Sequence, residues 1–195
     1  MHMMHKRIIA ITGGIGAGKS VVSSILRVAG YQVYDCDSRA KQLMNTSEEI
    51  KNALTMKFGR EVYNRDGTLN KTRLSDIIFN DADALHCVNS IVHPAVRDDI
   101  TQWAQKQEHN ILFVETAILK EGGIDTIVNE VWNVVAPVET RVERVMKRNA
   151  TSRNKVMERI NNQQPLSHCT ELNVIDLIND SYTPLLPQVV NALRH

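Results

Sequence analysis

The sequence predicts an α/β fold in which a parallel five-stranded sheet is flanked by helices. Two observations carry this. Short apolar runs of strand character recur along the chain, and segments of helical periodicity separate them, an order that suits parallel strands with helices on both faces. A third observation concerns the start: the first apolar run leads into a glycine-rich loop that opens a helix.

Ile8-Ile9-Ala10-Ile11 is a continuous apolar run closed by Thr12-Gly13-Gly14, as in a strand buried on both faces. From Ser20 to Ala29 the apolar residues Val21, Val22, Ile25, Leu26 and Ala29 follow helical spacing, with Gly30 as the C-terminal cap. Gln32-Val33-Tyr34 is a second strand ending at Asp35. The middle of the chain is helical over Ser38–Met44, Glu48–Phe58, Lys71–Phe79, Ala82–Val92 and Ala95–Gln107. Asp66-Gly67 marks a turn within the break from Gly59 to Leu69. Pro94 disfavours a helical His93, so a boundary is expected there. Strands are expected at Ile111–Val114, Val131–Ala136 and Val174–Ile178. Helices are expected at Val138–Asn149, Arg153–Gln164 and Pro184–Leu193, the last with a proline tolerated in its first turn.

The 195 residues suit one domain with a small lobe, and 43% hydrophobic content supports a real core. Lys and Arg (23) balance Asp and Glu (22), a net charge of +1 that argues against a chain coating nucleic acid or an anionic membrane. Any basic site must then be local. Aromatics at 5% are too few for stacking platforms on single strands. Cys36, Cys87 and Cys169 are odd in number and widely spaced, so a reducing, cytoplasmic setting is expected rather than a disulfide framework or zinc site. No apolar run approaches a membrane span, and the start of the chain lacks a signal-peptide core. His2 and His5 read as a loose tail, and Met3, Met4, Met44, Met56, Met146 and Met157 as packing or tail residues.

Gly13-Gly14-Ile15-Gly16-Ala17-Gly18-Lys19-Ser20 matches GxxxxGK[ST] at every fixed position, after a strand and before a helix. Glycines let successive N–H groups curl around phosphate, and the helix adds its positive N-terminal end. Lys19 brings a mobile charge to the β- and γ-phosphates, and Ser20 a hydroxyl to Mg²⁺.

Asp35 and Asp37 follow the second strand. Ligands bind at the carboxyl ends of parallel strands, where a carboxylate can accept a hydroxyl proton or hold Mg²⁺ through water. Either acid can instead cap the next helix, and spacing does not choose between them. Glu115 ends an apolar strand as a metal-shell acid does, with Glu121 as a competing choice, and either can instead be a solvated loop acid. Arg141, Arg144, Arg148 and Arg153 form the local basic cluster, the first three on one helix at i, i+3 and i+7. They suit phosphate recognition, although Glu139 and Glu143 make a salt-bridged surface an alternative. His93 before Pro94 reads by itself as a turn residue.

Together these residues resemble the dephospho-coenzyme A kinase family. Thr12 to Ser20 is similar to its TGGIG[SA]GKS signature, and Asp35-Cys36-Asp37 to its second-strand DxD. Phe58-Gly59, Asp66-Gly67-Thr68-Leu69, Leu74 and Phe79 follow its FG…DG-x-L…L…F segment. Ile91-Val92-His93-Pro94 resembles its hydrophobic-HP motif. Glu139-Thr140, Arg144, Arg148, Arg153 and Gln163 follow its ET…R…R…R…Q stretch.

The resemblance implies a P-loop kinase core, a helical substrate lobe and a lid. Core segments fall at about 7–37, 110–138 and 165–195, the lobe at about 38–109 and the lid at about 139–164. It implies transfer of the ATP γ-phosphate to the ribose 3′-hydroxyl of dephospho-CoA, with Mg²⁺, and no nucleic-acid or membrane partner. Asp37 is then the base, with Lys19 and Arg144 stabilising the phosphoryl group. Gly14, Ile15, Gly16, Ala17, Gly18, Lys19, Ser20 and Val21 hold nucleotide, with Arg148 and Arg153 in the lid. Asp35, Lys41, Lys71 and His93 receive the acceptor, and Ser20 meets the metal.

Several positions depart from the family pattern. Val21 stands where Thr is common, Lys41 and Lys71 replace frequent arginines, and Lys120 takes the aromatic place in Ile118-Leu119-Lys120-Glu121. Asn173-Val174-Ile175-Asp176 differs from the family's ADYVI, while Asn179 can stand for its Asn. Other small-molecule P-loop kinases share the loop and lid arginines without the DxD, DG-x-L and HP order. A guanine-binding switch would carry NKxD, and Asn154-Lys155-Val156-Met157 lacks the Asp.

Overall fold

The structure, a computed structural model, describes residues 6–79, 81–163 and 171–194. The tail residues His2, His5, Met3 and Met4, together with Gln164 and Cys169, lie outside them. The chain divides into two compact units. The first takes the chain up to Tyr34 and again from Gln107 onward; the second is Asp35–Lys106.

The first unit is built on a five-stranded sheet in the order β2-β3-β1-β4-β5. These strands are β1 (Arg7–Thr12), β2 (Gln32–Asp35), β3 (Ile111–Glu115), β4 (Glu130–Val135) and β5 (Asn173–Ile178). β1 is central and runs parallel to both neighbours, Ile9 opposite Phe113 and Ile11 opposite Trp132. β4 runs parallel to β5, with Trp132 opposite Ile175. Ile9, Ile11, Phe113 and Trp132 are fully buried, each contributing about 1.5–3 kcal/mol through area removed from water. Phe113 also meets Trp132 at 5.1 Å and the edge of Tyr31 at 5.5 Å between ring centroids. Because β1 is central, the loop after Thr12 emerges at the carboxyl edge of the sheet, where such folds bind ligands.

In this unit α1 (Lys19–Val28) follows the glycine loop, α6 (Val138–Asn149) and α7 (Arg153–Asn161) come after β4, and α8 (Leu185–Ala192) ends the chain. Pro184 is the N-cap of α8 rather than its first residue. Val142, Val145 and Val156 form a separate small core between α6 and α7, and Ile15 of the glycine loop packs against it.

The second unit holds α2 (Cys36–Thr46), α3 (Glu48–Phe58), α4 (Lys71–Phe79) and α5 (Ala82–Lys106). Asp35 caps α2, its carboxylate accepting from Ser38 N–H at 3.1 Å and from the Ser38 hydroxyl at 2.7 Å. The Asp66-Gly67 turn forms as expected, Asp66 accepting from Thr68 N–H at 2.9 Å and Gly67 sitting at φ 79°. Arg39 on α2 grips Asp99 on α5 with a fork of 2.9 and 2.6 Å.

The expected break at Pro94 does not occur: α5 is one helix of 25 residues with Pro94 inside it and His93 helical. A helix-interior proline removes a hydrogen bond and costs about 3 kcal/mol. Here Ala84, Val88, Val92, Val96, Ile100 and Ala104 form one buried stripe that runs through the proline. Breaking the helix would expose half of that stripe, so continuous packing against α2, α3 and α4 prevails.

Candidate active site

The glycine loop closes on itself and on α6. Lys19 Nζ donates to the Gly13 carbonyl at 2.8 Å, and Ala17 N–H to the Gly14 carbonyl at 3.1 Å. Gly18 has φ 105° and Gly16 φ 79°, a left-handed backbone that strains other residues. Space also selects glycine at Gly16, where a Cβ would lie 2.6 Å from the Arg141 carbonyl oxygen.

Arg141 lies along the loop. Its Nε donates to the Ile15 carbonyl at 2.9 Å and its Nη2 to Gln163 Oε1 at 3.1 Å. Gln163 Oε1 also accepts from Ile15 N–H at 2.8 Å. Partial burial lowers the Arg141 pKa from the ordinary guanidinium value, since desolvation disfavours the charged form. Arg144, one turn on, donates to Ser181 Oγ at 2.8 Å and Asn179 Oδ1 at 3.4 Å, with longer contacts of 3.5 Å to the Gly16 and Ala17 carbonyls. Asn179 in turn donates to the Ala17 carbonyl at 2.8 Å. The turn carrying Ser181 is pinned by Asp180, which accepts from Thr183 N–H at 2.7 Å and Tyr182 N–H at 2.9 Å. Those backbone bonds hold its carboxyl below the usual range.

A cavity of about 470 Å³ opens beside the loop. Thr12, Gly13 and Gly14 form one wall, Ala117 to Glu121 another, and Asn133, Arg141, Ile160, Asn162 and Gln163 close it. Its lining is thus cationic at Arg141 and Lys120, with Glu121 as the acid.

The sequence profile of dephospho-CoA kinase matches residues 7–184, nearly the whole chain. The chain belongs to the dephospho-CoA kinase family. A dephospho-CoA kinase of Bacteroides fragilis is 39% identical over 95% of this chain and 90% of its own length. The structure of TT1252 from Thermus thermophilus superposes with a TM-score of 0.76 at 33% identity, covering 97% of this chain and 95% of that one. A dephospho-CoA kinase from Campylobacter jejuni shares the fold at TM-score 0.68 and 21% identity, covering 97% and 96%. The parallel sheet with flanking helices is therefore a P-loop kinase fold.

Within this dephospho-CoA kinase family member, the residues expected at the site fall into separate groups. The loop from Gly14 to Val21 and Arg144 meet in the first unit. Ser20 and Val21 are exposed in the first turn of α1. Arg148 is exposed near the end of α6, its Nε donating to Asn149 at 3.1 Å. Arg153 forms a two-bond pair with Glu139, both 2.7 Å, at the start of α7. Asp35, Asp37, Lys41, Lys71 and His93 lie in the second unit. Asp37 is an exposed acid in the first turn of α2, Lys41 is exposed on the same helix, Lys71 begins α4, and His93 is half-buried in α5. Glu121, not Glu115, lines the cavity.

Asn133 and Ser181 carried no motif signal in the sequence, whereas Thr12 opened the signature of the phosphate loop. Gln163 and Arg141 were visible only as part of the arginine-rich stretch.

Proposed function

We propose that the chain transfers the γ-phosphoryl group of ATP to the ribose 3′-hydroxyl of dephospho-CoA, the last step of coenzyme A synthesis. The observation that carries this is the family match across nearly the whole chain, with a complete phosphate loop at the carboxyl edge of the sheet. The loop amides and Lys19 bind the phosphates. Asp37 takes the 3′-hydroxyl proton as that oxygen bonds to the γ-phosphorus. The bond from that phosphorus to the β–γ bridging oxygen breaks, and ADP leaves. Positioning and charge stabilisation lower the barrier more than covalent chemistry does.

The Ser20 hydroxyl, exposed at the start of α1, suits one ligand position on Mg²⁺. No group of three His, Cys, Asp or Glu residues able to hold a metal occurs among the described residues, so phosphate oxygens and water would supply the other ligands. Mg²⁺ held there would supply charge neutralisation at the phosphates. Residues of α6 and α7 act as the lid that excludes water, with Arg148 and Arg153 reaching nucleotide. The helical second unit receives dephospho-CoA through Asp35, Lys41, Lys71 and His93. Arg144 stabilises the phosphoryl group or, through its bonds to Asn179 and the loop carbonyls, the loop that holds it. Free thiols at Cys36 and Cys87 suit the cytoplasm.

A coupled assay tests the reading. ADP release from ATP and Mg²⁺ should rise strongly with dephospho-CoA and little with adenosine, nucleoside monophosphates or shikimate. No stimulation by dephospho-CoA would remove the proposed activity.

A further inference from the structure

Two donors converge on a single oxygen beside the phosphate loop. Ile15 N–H lies 2.8 Å and Arg141 Nη2 3.1 Å from Gln163 Oε1. A backbone N–H and a guanidinium meeting at one point form the donor pattern that phosphate oxygens recruit. Both donors are held in place by other bonds. Arg141 Nε is anchored on the Ile15 carbonyl at 2.9 Å, and the Ile15 side chain packs into the α6–α7 core. Gly14 makes room for the guanidinium, since a Cβ there would stand 2.5 Å from Arg141 Cζ. Arg141 and Gln163 line the cavity beside the loop with Gly13 and Gly14, the residues that precede Ile15 in the chain.

We propose that Arg141 and the Ile15 amide form a binding position for a phosphate oxygen of ATP, and that Gln163 is the chain's own competing acceptor for it. The inference deepens the proposed function and rests on its ATP-binding part alone. An amide oxygen is neutral, whereas a phosphate oxygen carries charge, and charge-assisted hydrogen bonds are roughly twice as strong as neutral ones. The phosphate therefore displaces Gln163 Oε1, while Arg141 stays where its Nε bond holds it. A pre-placed donor loses little entropy on binding. The end of α7, which Gln163 follows, is released from the loop in the same exchange. Nucleotide binding and the position of α7 are then coupled through one hydrogen-bond acceptor. Arg141 acts as a phosphate ligand beside Lys19, and Gln163 sets the threshold for occupancy.

A purely structural role predicts something different. If Gln163 only tethers α7, removing it loosens the site and weakens nucleotide binding. If it competes, removing it strengthens binding.

The test is the dissociation constant for ATP, measured by titration calorimetry without any acceptor. Arg141→Gln should weaken ATP by about tenfold or more, the loss of a hydrogen bond to a charged group. Arg141→Lys should recover part of that, since it keeps charge and loses the fork. Gln163→Leu should tighten ATP by about threefold to tenfold, the effect of removing a neutral competitor. ATP affinity that is unchanged in Arg141→Gln, or unchanged or weaker in Gln163→Leu, overturns the proposal. If Arg141→Gln does not fold, the direction of change in Gln163→Leu decides alone. The measurement uses no dephospho-CoA, so a failed acceptor assay and a failed competition are separate results.

Discussion

Asp35 and Asp37 are two residues apart, and the structure gives them different surroundings. Both oxygens of Asp35 are engaged by Ser38, so this carboxylate orders the start of α2. Asp37 stays exposed in the first turn of the same helix. As the base proposed above, Asp37 would contribute about 10²–10⁴-fold to rate. Asp37→Asn should therefore lower kcat by about that range and leave ATP affinity nearly unchanged, as steady-state kinetics and nucleotide titration can resolve. Loss of ATP affinity with kcat preserved would make Asp37 a binding residue instead.

At the scale of elements, α6 and α7 are joined by more than their small valine core. Glu139, in the first turn of α6, accepts both bonds from Arg153, the first residue of α7. The Arg153 hydrogen bonds, reinforced by its charge, hold the Glu139 carboxyl below the usual glutamate range. A depressed folded pKa means that the pair contributes fully above the unfolded value. The contribution disappears as pH falls through the lowered one. At neutral pH the pair therefore contributes in full, and acid weakens it. In an NMR titration Glu139 should protonate below the ordinary range, and Arg153→Ala should return it there. A Glu139 that titrates normally in the unmodified chain would mean that the clasp does not persist in solution. The α5 helix makes a related point about elements: a stripe of buried residues on both sides of Pro94 outweighs the local cost of the proline.

For the whole molecule, a net charge of +1 is compatible with strongly anionic ligands because the cations are concentrated. Lys19, Arg141 and Arg144 gather around one loop. A ligand that binds only the folded chain stabilises it by mass action, about 2.7 kcal/mol at a hundred times its Kd. For a chain of this length that corresponds to a rise in Tm of about 5–10 °C. Differential scanning calorimetry with ATP should show it. If the two units melt in separate transitions, ATP should move the one that contains the phosphate loop. A Tm indifferent to ATP at such concentrations would remove the loop as a nucleotide site.

The sequence by itself determined the class of fold, the phosphate loop and the order of family motifs. These depend on neighbours along the chain: apolar runs, glycines at fixed spacing, a lysine at the start of a helix. It also located α3, α4 and α6 to the residue, since their caps and periodicity are local signals. Only the tertiary structure decided that α5 continues through Pro94, because the stripe that outweighs the proline is buried by other helices. Only it joined Ile15, Arg141 and Gln163, residues 126, 22 and 148 positions apart in pairs, at one oxygen. It separated Asp35 as a cap from Asp37 as an exposed acid, which spacing left open. Hydrogen bonds across such distances leave no periodic trace in the chain. They exist because folding brings the loop and the end of α7 within reach of one another.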